Sequence, residues 1–407
     1  MSGAPRPDAD RIILVDPSDF TTPYDLALAG AIQAEGRYVR LVGQAGAVST
    51  LQPLHYGLFY PVLASRWGCR LPGGGVKLVK GASHGFDMFR FIHWVAACNA
   101  GIVHFQWSPV PAIDRWIIRL LRNRVPVAIT LHDSNPYQGA ASWLMRQGYA
   151  NLLRSVDAII VHTQQAQRRV AAIGIDPALM HRIPHGLLGE VGHAVAAPRR
   201  SSGDRLVLLQ FGKIKPYKGV DLLLLALTLV PRELRDRLDV RIVGKPYMDT
   251  AGMEQFVRAN ELSGCVTFRF EFVSEAETER LFAEADAILL PYREIDASGV
   301  AMTAIARGLP VLATAIDGFR ELFEGEGGAR LVPATDAAAM SRALTDWINT
   351  PEELDALAEA MRLRRTGIPR WDEIARRHLA VYAEARARWM AGRKHGNRQS
   401  PVVRQTS

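Results

Sequence analysis

Short, predominantly apolar runs, each followed by a longer helix-compatible stretch, recur along this chain. That rhythm limits it to very few architectures. Arg11–Val15, Tyr38–Val42, Ile102–Phe105, Val127–Leu131 and Ala158–Val161 read as strands without polar alternation. Strands of this kind are covered on both faces, the condition of a parallel sheet with helices on either side. The first break shows how the pattern turns. Asp16-Pro17-Ser18 stops the strand, then Thr22 as N-cap, Pro23 in the first turn and Asp25 at the positive end start a helix that Gly36 ends.

The rhythm pauses at Val195–Gly203 (VAAPRRSSG), which reads as a linker, and then restarts. Strands are expected at Leu206–Gln210, Val240–Val243, Val266–Phe270, Ala287–Leu290 and Val311–Ala313. Helices are expected at Val220–Leu229, at Glu275–Glu284 and in a segment ending near Arg307. Ala337–Asn349, Pro351–Arg364 and Trp371–Met390 are also helical in pattern. The fold class is therefore α/β, with two doubly wound Rossmann-like domains in tandem. The expected boundaries are 1–198 for the first domain and 199–365 for the second. A helix over 366–392 returns onto the first domain, and 393–407 is a loose basic tail. With 407 residues, 48% of them hydrophobic, the chain is long and apolar enough for two cores. Such sheets bind ligands beyond the carboxyl ends of their strands.

Lysine and arginine exceed aspartate and glutamate by 49 − 41 = 8. That excess suits a polyanionic partner: nucleic acid, an anionic bilayer or a diphosphate. Nucleic acid is disfavoured, since no recognised module or compact basic helix is present. Cys69, Cys98 and Cys265 are scattered, which fits a reducing cytoplasm and gives no zinc spacing. The first apolar run is too short for a signal peptide, and no run of about 18 uncharged apolar residues exists to cross a membrane. Between His55 and Trp94, Tyr56, Phe59, Tyr60, Trp67 and Phe86 interleave with Arg66, Arg70, Lys77, Lys80 and Arg90. Such a segment either rests on an anionic bilayer or is a partly buried loop and helix with solvated charges.

Two segments carry candidate chemistry. Phe211-Gly212-Lys213-Ile214-Lys215-Pro216-Tyr217-Lys218-Gly219 joins a strand to a helix. Lysines at a strand's carboxyl end, beside a glycine that admits close backbone approach, suit a diphosphate; the alternative is a solvated basic turn. Leu289–Val300 (LLPYREIDASGV) ends a buried strand and delivers acids, a serine and a glycine to a helix start. Ser298 and Gly299 there either hold an anionic group or cap the helix, and Glu294 or Asp296 is placed for ribose hydroxyls. His104 and His132 both end first-domain strands.

Phe211–Gly219, Ala285–Tyr292, the Ser298-Gly299 helix, Gly308-Leu309-Pro310-Val311 and Asp317-Gly318-Phe319-Arg320-Glu321 fall in the order and spacing of bacterial GT-B glycosyltransferases. They resemble the large retaining family 4 in particular. Thr130-Leu131-His132-Asp133, Val161-His162-Thr163 and Ile183-Pro184-His185-Gly186 extend a looser match into the first domain. The resemblance implies that Gly212, Lys213, Lys218, Gly244, Ser298, Gly299, Gly318 and Glu321 hold the donor nucleotide, and that His132 faces the donor sugar. Lys213 stands where the family usually has an arginine, which keeps the charge and loses the bidentate fork. The family's two glutamates, separated by seven residues, fall here at Ile295 and Thr303, as in a Ser-Gly branch of the family. Glu294 is then the candidate to serve sugar or ribose hydroxyls, with Asp296 as a cap or surface residue. The implied activity is transfer of a hexose from a UDP- or GDP-linked sugar, without a metal or other cofactor. The implied acceptor is a glycan or polyprenyl-diphosphate-linked lipid, in bacterial surface or exopolysaccharide synthesis, with the protein cytoplasmic and peripheral on the inner face of the plasma membrane. The rival readings are a GT-B nucleotide-sugar epimerase and an inactive GT-B binding subunit.

Overall fold

The computed structural model describes residues 11–46, 54–61, 73–133, 142–189, 205–325 and 327–396. The chain divides into two units, one of Met1–Pro184 with Arg370–Ser407 and one of His185–Pro369. It crosses to the second unit at Pro184/His185, ahead of the Pro- and Ser-rich linker, which lies outside the described residues.

In the first unit, β1 (Arg11–Val15), β2 (Tyr38–Gln44), β3 (His55–Phe59), β4 (Ile102–Phe105), β5 (Val127–Leu131), β6 (Ala158–Val161) and β7 (Met180–Arg182) form one sheet. Its order is β3-β2-β1-β4-β5-β6-β7, and every pairing is parallel. Helices α1 (Thr22–Ala34), α2 (Gly73–Ala97), α3 (Pro111–Arg122), α4 (Ser142–Leu153) and α5 (Gln164–Ala172) connect the strands. Continuous apolarity has the expected cause. On β1, Ile13 and Val15 enter one buried cluster with Phe91 of α2 and Ile118 of α3, while Ile12 and Leu14 enter another with Leu28 of α1. Each such side chain, fully buried, contributes about 1.5–3 kcal/mol.

The second unit contains β8 (Leu206–Phe211), α6 (Val220–Leu229), α7 (Arg232–Arg235), β9 (Leu238–Val243), α8 (Ala251–Ala259) and β10 (Val266–Arg269). It continues through α9 (Glu275–Glu284), β11 (Ala287–Leu290), α10 (Gly299–Arg307), β12 (Val311–Thr314), α11 (Asp317–Phe323), β13 (Ala329–Val332), α12 (Ala337–Asn349) and α13 (Glu352–Gly367). The sheet order is β10-β9-β8-β11-β12-β13, again parallel throughout. In both sheets the strand order reverses beside the first strand: β1 lies between β2 and β4, and β8 between β9 and β11. The carboxyl ends of these pairs are the topological switch points where open α/β sheets place their ligands.

The last helix, α14 (Trp371–Gly396), belongs to the first unit. Ile374, Ala375, Val381, Tyr382 and Ala385 complete the buried cluster beneath β1 and α1. The helix extends into the segment expected to be a tail; residues 397–407 lie outside the described residues. Among the described residues no helix is long and apolar enough to cross a membrane.

Candidate active site

Three glycines give the second unit's switch point its shape. Gly212 follows β8 at φ +103°. Gly244 follows β9, and a Cβ there would lie 2.0 Å from the Gly212 carbonyl oxygen, so the two turns touch through backbone alone. Gly219 sits left-handed at φ +65°, where a Cβ would come within 1.9 Å of the Pro291 carbonyl oxygen. That contact presses the Lys213–Lys218 turn against the strand end of β11. Arg293 ties the two segments from the other side: its amide donates to the Tyr217 carbonyl at 2.7 Å, and its guanidinium grips Asp221 of α6 at 2.9 and 2.6 Å.

Lys218 lies buried in this frame. Its ammonium donates to the Phe211 carbonyl at 3.2 Å and to the Tyr292 hydroxyl at 2.8 Å, with the nitrogen 4.8 Å from the centre of the Tyr292 ring. An ammonium has three donors, and these bonds account for two. Burial lowers the lysine's pKa from its ordinary 10.5, opposed by Tyr217. Burial likewise pushes the Tyr292 phenol up, and a hydrogen bond from Ser298 pulls it back. Tyr292 is thus the link between Lys218 and the start of α10. The sequence motif contains it, but its pairing with Lys218 depends on a contact across the sheet that no local pattern encodes.

Ser298 is the N-cap of α10. Its hydroxyl accepts from the Ala301 amide at 3.2 Å, and its carbonyl takes the Met302 amide at 3.0 Å. The amides of Gly299 and Val300 are the two first-turn donors that these bonds leave over, at the positive end of the helix. Lys213, half-buried, follows Gly212 directly. Glu294 is half-buried, whereas Asp296 is buried at 2% exposure. The expectation of Asp296 as a cap or surface residue is therefore corrected: Ser298 does the capping, and the carboxylate is enclosed. At the two positions of the family's glutamates, Ile295 packs on the apolar cluster around Phe319, and the Thr303 hydroxyl donates to the Gly299 carbonyl at 2.9 Å. Gly318, in the first turn of α11, is buried, and a Cβ there would meet the Ile295 carbonyl oxygen at 2.2 Å; Glu321 stands exposed on the same helix.

In the first unit, His132 is half-buried just past β5, with Gln106 and His162 at the ends of β4 and β6. His132 Nε2 lies 3.1 Å from Gln106 Oε1, and its Nδ1 lies 3.2 Å from His162 Nε2. His162 Nδ1 faces the Ile183 carbonyl at 3.0 Å. Tyr24 of α1 packs on both imidazoles, with ring centres at 4.7 and 5.3 Å. His104 is enclosed between Thr130 and Tyr382, each at 2.7 Å, and its pKa is driven well below 6.5 by burial and then by His378 and His162. It is a neutral structural residue. His185, in the second unit, is lowered to about 4 by burial, opposed by the bond of its Nδ1 to the Gly186 carbonyl at 2.6 Å. The basic aromatic stretch divides: Phe59 and Tyr60 are core residues, Phe86 is exposed, and Arg66, Trp67 and Arg70 lie outside the described residues.

Two parallel-sheet Rossmann-like units in tandem, with glycine-shaped turns and a buried lysine at a switch point, are the plan of the GT-B fold. The domain matches make this particular: Glycosyltransferase Family 4 matches residues 26–187, and Glycosyl transferases group 1 matches residues 196–364. The chain thus carries two glycosyltransferase domains in tandem. It is 29% identical over 251 residues to the D-inositol 3-phosphate glycosyltransferase of Streptomyces coelicolor, covering 58% of this chain and 54% of that enzyme. The chain thus spans about half the length of that relative. It is 26% identical over 395 residues to the phosphatidyl-myo-inositol mannosyltransferase of Mycobacterium leprae, covering 91% and 96% of the two. Among solved structures, Anabaena HepE in complex with UDP and glucose superposes with a TM-score of 0.70 at 15% identity, over 92% of this chain and 99% of that one.

Proposed function

We propose that the protein transfers a hexose from a UDP- or GDP-linked donor to a glycan or lipid-linked acceptor in bacterial surface or exopolysaccharide synthesis, with retained stereochemistry. The observation that carries this reading is Lys218, a buried cation with a donor to spare at a switch point. When the sugar–diphosphate bond breaks, negative charge grows on the departing diphosphate. Preorganised donors stabilise such charge more than mobile water does. Lys218, Lys213 and the amides of Gly299 and Val300 are those donors, with Glu294 on the sugar or ribose hydroxyls. The acceptor hydroxyl attacks from the leaving-group side and passes its proton to the diphosphate. The relatives' named activities support sugar transfer, and the UDP bound by HepE supports a nucleotide-linked donor.

Calorimetric titration of UDP and GDP into wild-type and Ser298→Ala protein tests the phosphate assignment. The substitution removes a cap worth about 1 kcal/mol of stability and is expected to weaken diphosphate binding. Unchanged affinity for both nucleotides sinks it. Glu294→Gln is expected to lower turnover with an unchanged melting temperature, and Asp296→Asn to lower the melting temperature, since its carboxylate is enclosed. Damage to turnover from Asp296→Asn alone moves the donor contact two residues along.

The membrane part of the proposal rests on a surface wider than the sequence suggests. Phe86 and Phe89 of α2 and Trp116 and Leu120 of α3 are exposed, and Arg115 and Arg119 stand 5.0 and 5.1 Å from the centre of the Trp116 ring. Exposed aromatics flanked by arginines suit the interface of an anionic bilayer. Sedimentation with phosphatidylglycerol vesicles is expected to fall as salt rises, and to fall further in Phe86→Ser/Trp116→Ser protein. Equal pelleting of variant and wild type refutes this surface.

A further inference from the structure

The two imidazoles of His132 and His162 lie in series between two groups that accept hydrogen bonds. At one end is the Ile183 carbonyl, 3.0 Å from His162 Nδ1. A carbonyl only accepts, so that nitrogen carries a proton. At the other end Gln106 Oε1 lies 3.1 Å from His132 Nε2, which must carry one too. Between the rings, His162 Nε2 and His132 Nδ1 stand 3.2 Å apart, and their bond needs a further proton. Two neutral imidazoles bring one N–H each, and this chain of bonds requires three in all. We propose that His132 and His162 form one proton-sharing pair with a single positive charge, in which His162 is the positioning residue that holds His132 as a double donor.

The proton count depends on which way the Gln106 amide points, and the far side of Gln106 fixes that. Its Nε2 lies 3.3 Å from His104 Nδ1. That nitrogen also lies 2.7 Å from the Tyr382 hydroxyl, and His104 Nε2 lies 2.7 Å from the Thr130 hydroxyl; assigning the acidic phenol as donor to Nδ1 leaves Nε2 to donate to Thr130. His104 Nδ1 is therefore a lone pair. It draws the amide nitrogen of Gln106 towards itself and turns the amide oxygen to His132. Tyr382 lies on α14, so the last helix of the chain sets the proton inventory of a histidine at the end of β5.

Burial of His162, at 5% exposure, opposes the charge, and the neighbouring groups offset that cost. From α1, Tyr24 presents its ring to both imidazoles, and an aromatic ring at that distance attracts a cation. From β4 come Gln106 and the neutral His104. From α14, Trp371 packs on Tyr24 at 5.2 Å between ring centres, and His378, lowered to about 4 by burial, meets the Tyr24 hydroxyl at 3.4 Å. In catalysis the consequence rests on the transferase reading: the resemblance turns His132 to the donor sugar, and the shared proton makes that side chain part of a cation.

Nitrogen-detected NMR of the full chain, with histidine nitrogens labelled, reads the count directly. At neutral pH the pair is expected to show three protonated nitrogens and one unprotonated; two unprotonated nitrogens overturn the proposal. His162→Phe, which removes the partner, is expected to lower kcat with UDP-glucose or GDP-mannose by about ten- to hundredfold, the scale of groups that orient a reacting side chain. KM is expected to stay within about twofold, since a positioning residue acts on the transition state rather than on uniform binding. His162→Gln, which keeps an acceptor towards His132 and a donor towards Ile183, is expected to restore most of the rate. A His162→Gln variant no better than His162→Phe, with both melting early, reduces His162 to a packing residue and also overturns the proposal. Three protonated nitrogens in a wild-type protein that turns over neither donor uphold the pair and remove the transferase reading instead.

Discussion

Lys218→Met is expected to lower donor turnover by roughly ten- to hundredfold. The loss corresponds to one charge-assisted hydrogen bond of about 1.5–3 kcal/mol to the departing diphosphate. Methionine roughly keeps the volume, but it strands the Tyr292 hydroxyl and the Phe211 carbonyl, so the melting temperature is expected to fall as well. The two effects separate by ligand. Affinity for the nucleoside diphosphate should drop while affinity for the free nucleoside holds; an equal drop in both traces the loss to a damaged fold. Lys213→Ala, at a half-buried position, is expected to do the same more weakly. pH gives an independent handle. Burial lowers the Lys218 pKa, so its charge, and with it the diphosphate affinity, is lost on raising the pH before an ordinary lysine would titrate. That alkaline fall is expected to be absent from Lys218→Met protein.

Gly219→Ala is expected to cost at least about 3 kcal/mol of stability, or to prevent folding of the second unit. A left-handed backbone strains any residue with a Cβ by roughly 1–2 kcal/mol. Here the added carbon would also lie 1.9 Å from the Pro291 carbonyl oxygen, so either the turn or the end of β11 must move. Gly252→Ala, in α8, serves as the control. A Cβ there meets nothing within 4 Å, and alanine is the better helix former, so a neutral or slightly stabilising change is expected. Chemical denaturation of both variants checks the pair. A Gly219→Ala protein as stable as the wild type removes the argument that backbone contact alone shapes the Lys213–Lys218 turn.

The inner strands were legible because both of their faces are buried, and that condition writes itself as an unbroken apolar run, as in Ile12–Val15 or Ala287–Leu290. Three outer strands escaped. His55–Phe59 (HYGLF), Met180–Arg182 (MHR) and Ala329–Val332 (ARLV) sit at sheet edges, where one flank is uncovered and polar residues are tolerated. The glycines of the Gly212–Gly219 turn and the burial-prone Lys218 stood out because a close backbone approach and a buried charge each leave few residue choices. Their partners were not. Tyr292 under Lys218, His162 beside His132 and Pro291 against Gly219 are contacts between segments distant in sequence, and every one of those residue types also has ordinary structural uses. The enclosure of Asp296 escaped for the same reason: the same sequence serves an exposed cap or a buried carboxylate until the neighbouring loop is in place.

The first unit is assembled from both ends of the chain, with the whole second unit inserted between Pro184 and Arg370. During synthesis its sheet emerges early but lacks Ile374, Val381, Tyr382 and Ala385, which close the cluster beneath β1 and α1. Until α14 has been made, that apolar face has no cover, while the second unit already has all of its own sequence. The nascent protein therefore passes through a stage in which its later-made unit can fold before its earlier-made one is finished. A stop codon placed just before Trp371 leaves a chain with an intact second unit and an uncovered first sheet, the kind of exposed apolar surface that chaperones hold and proteases remove.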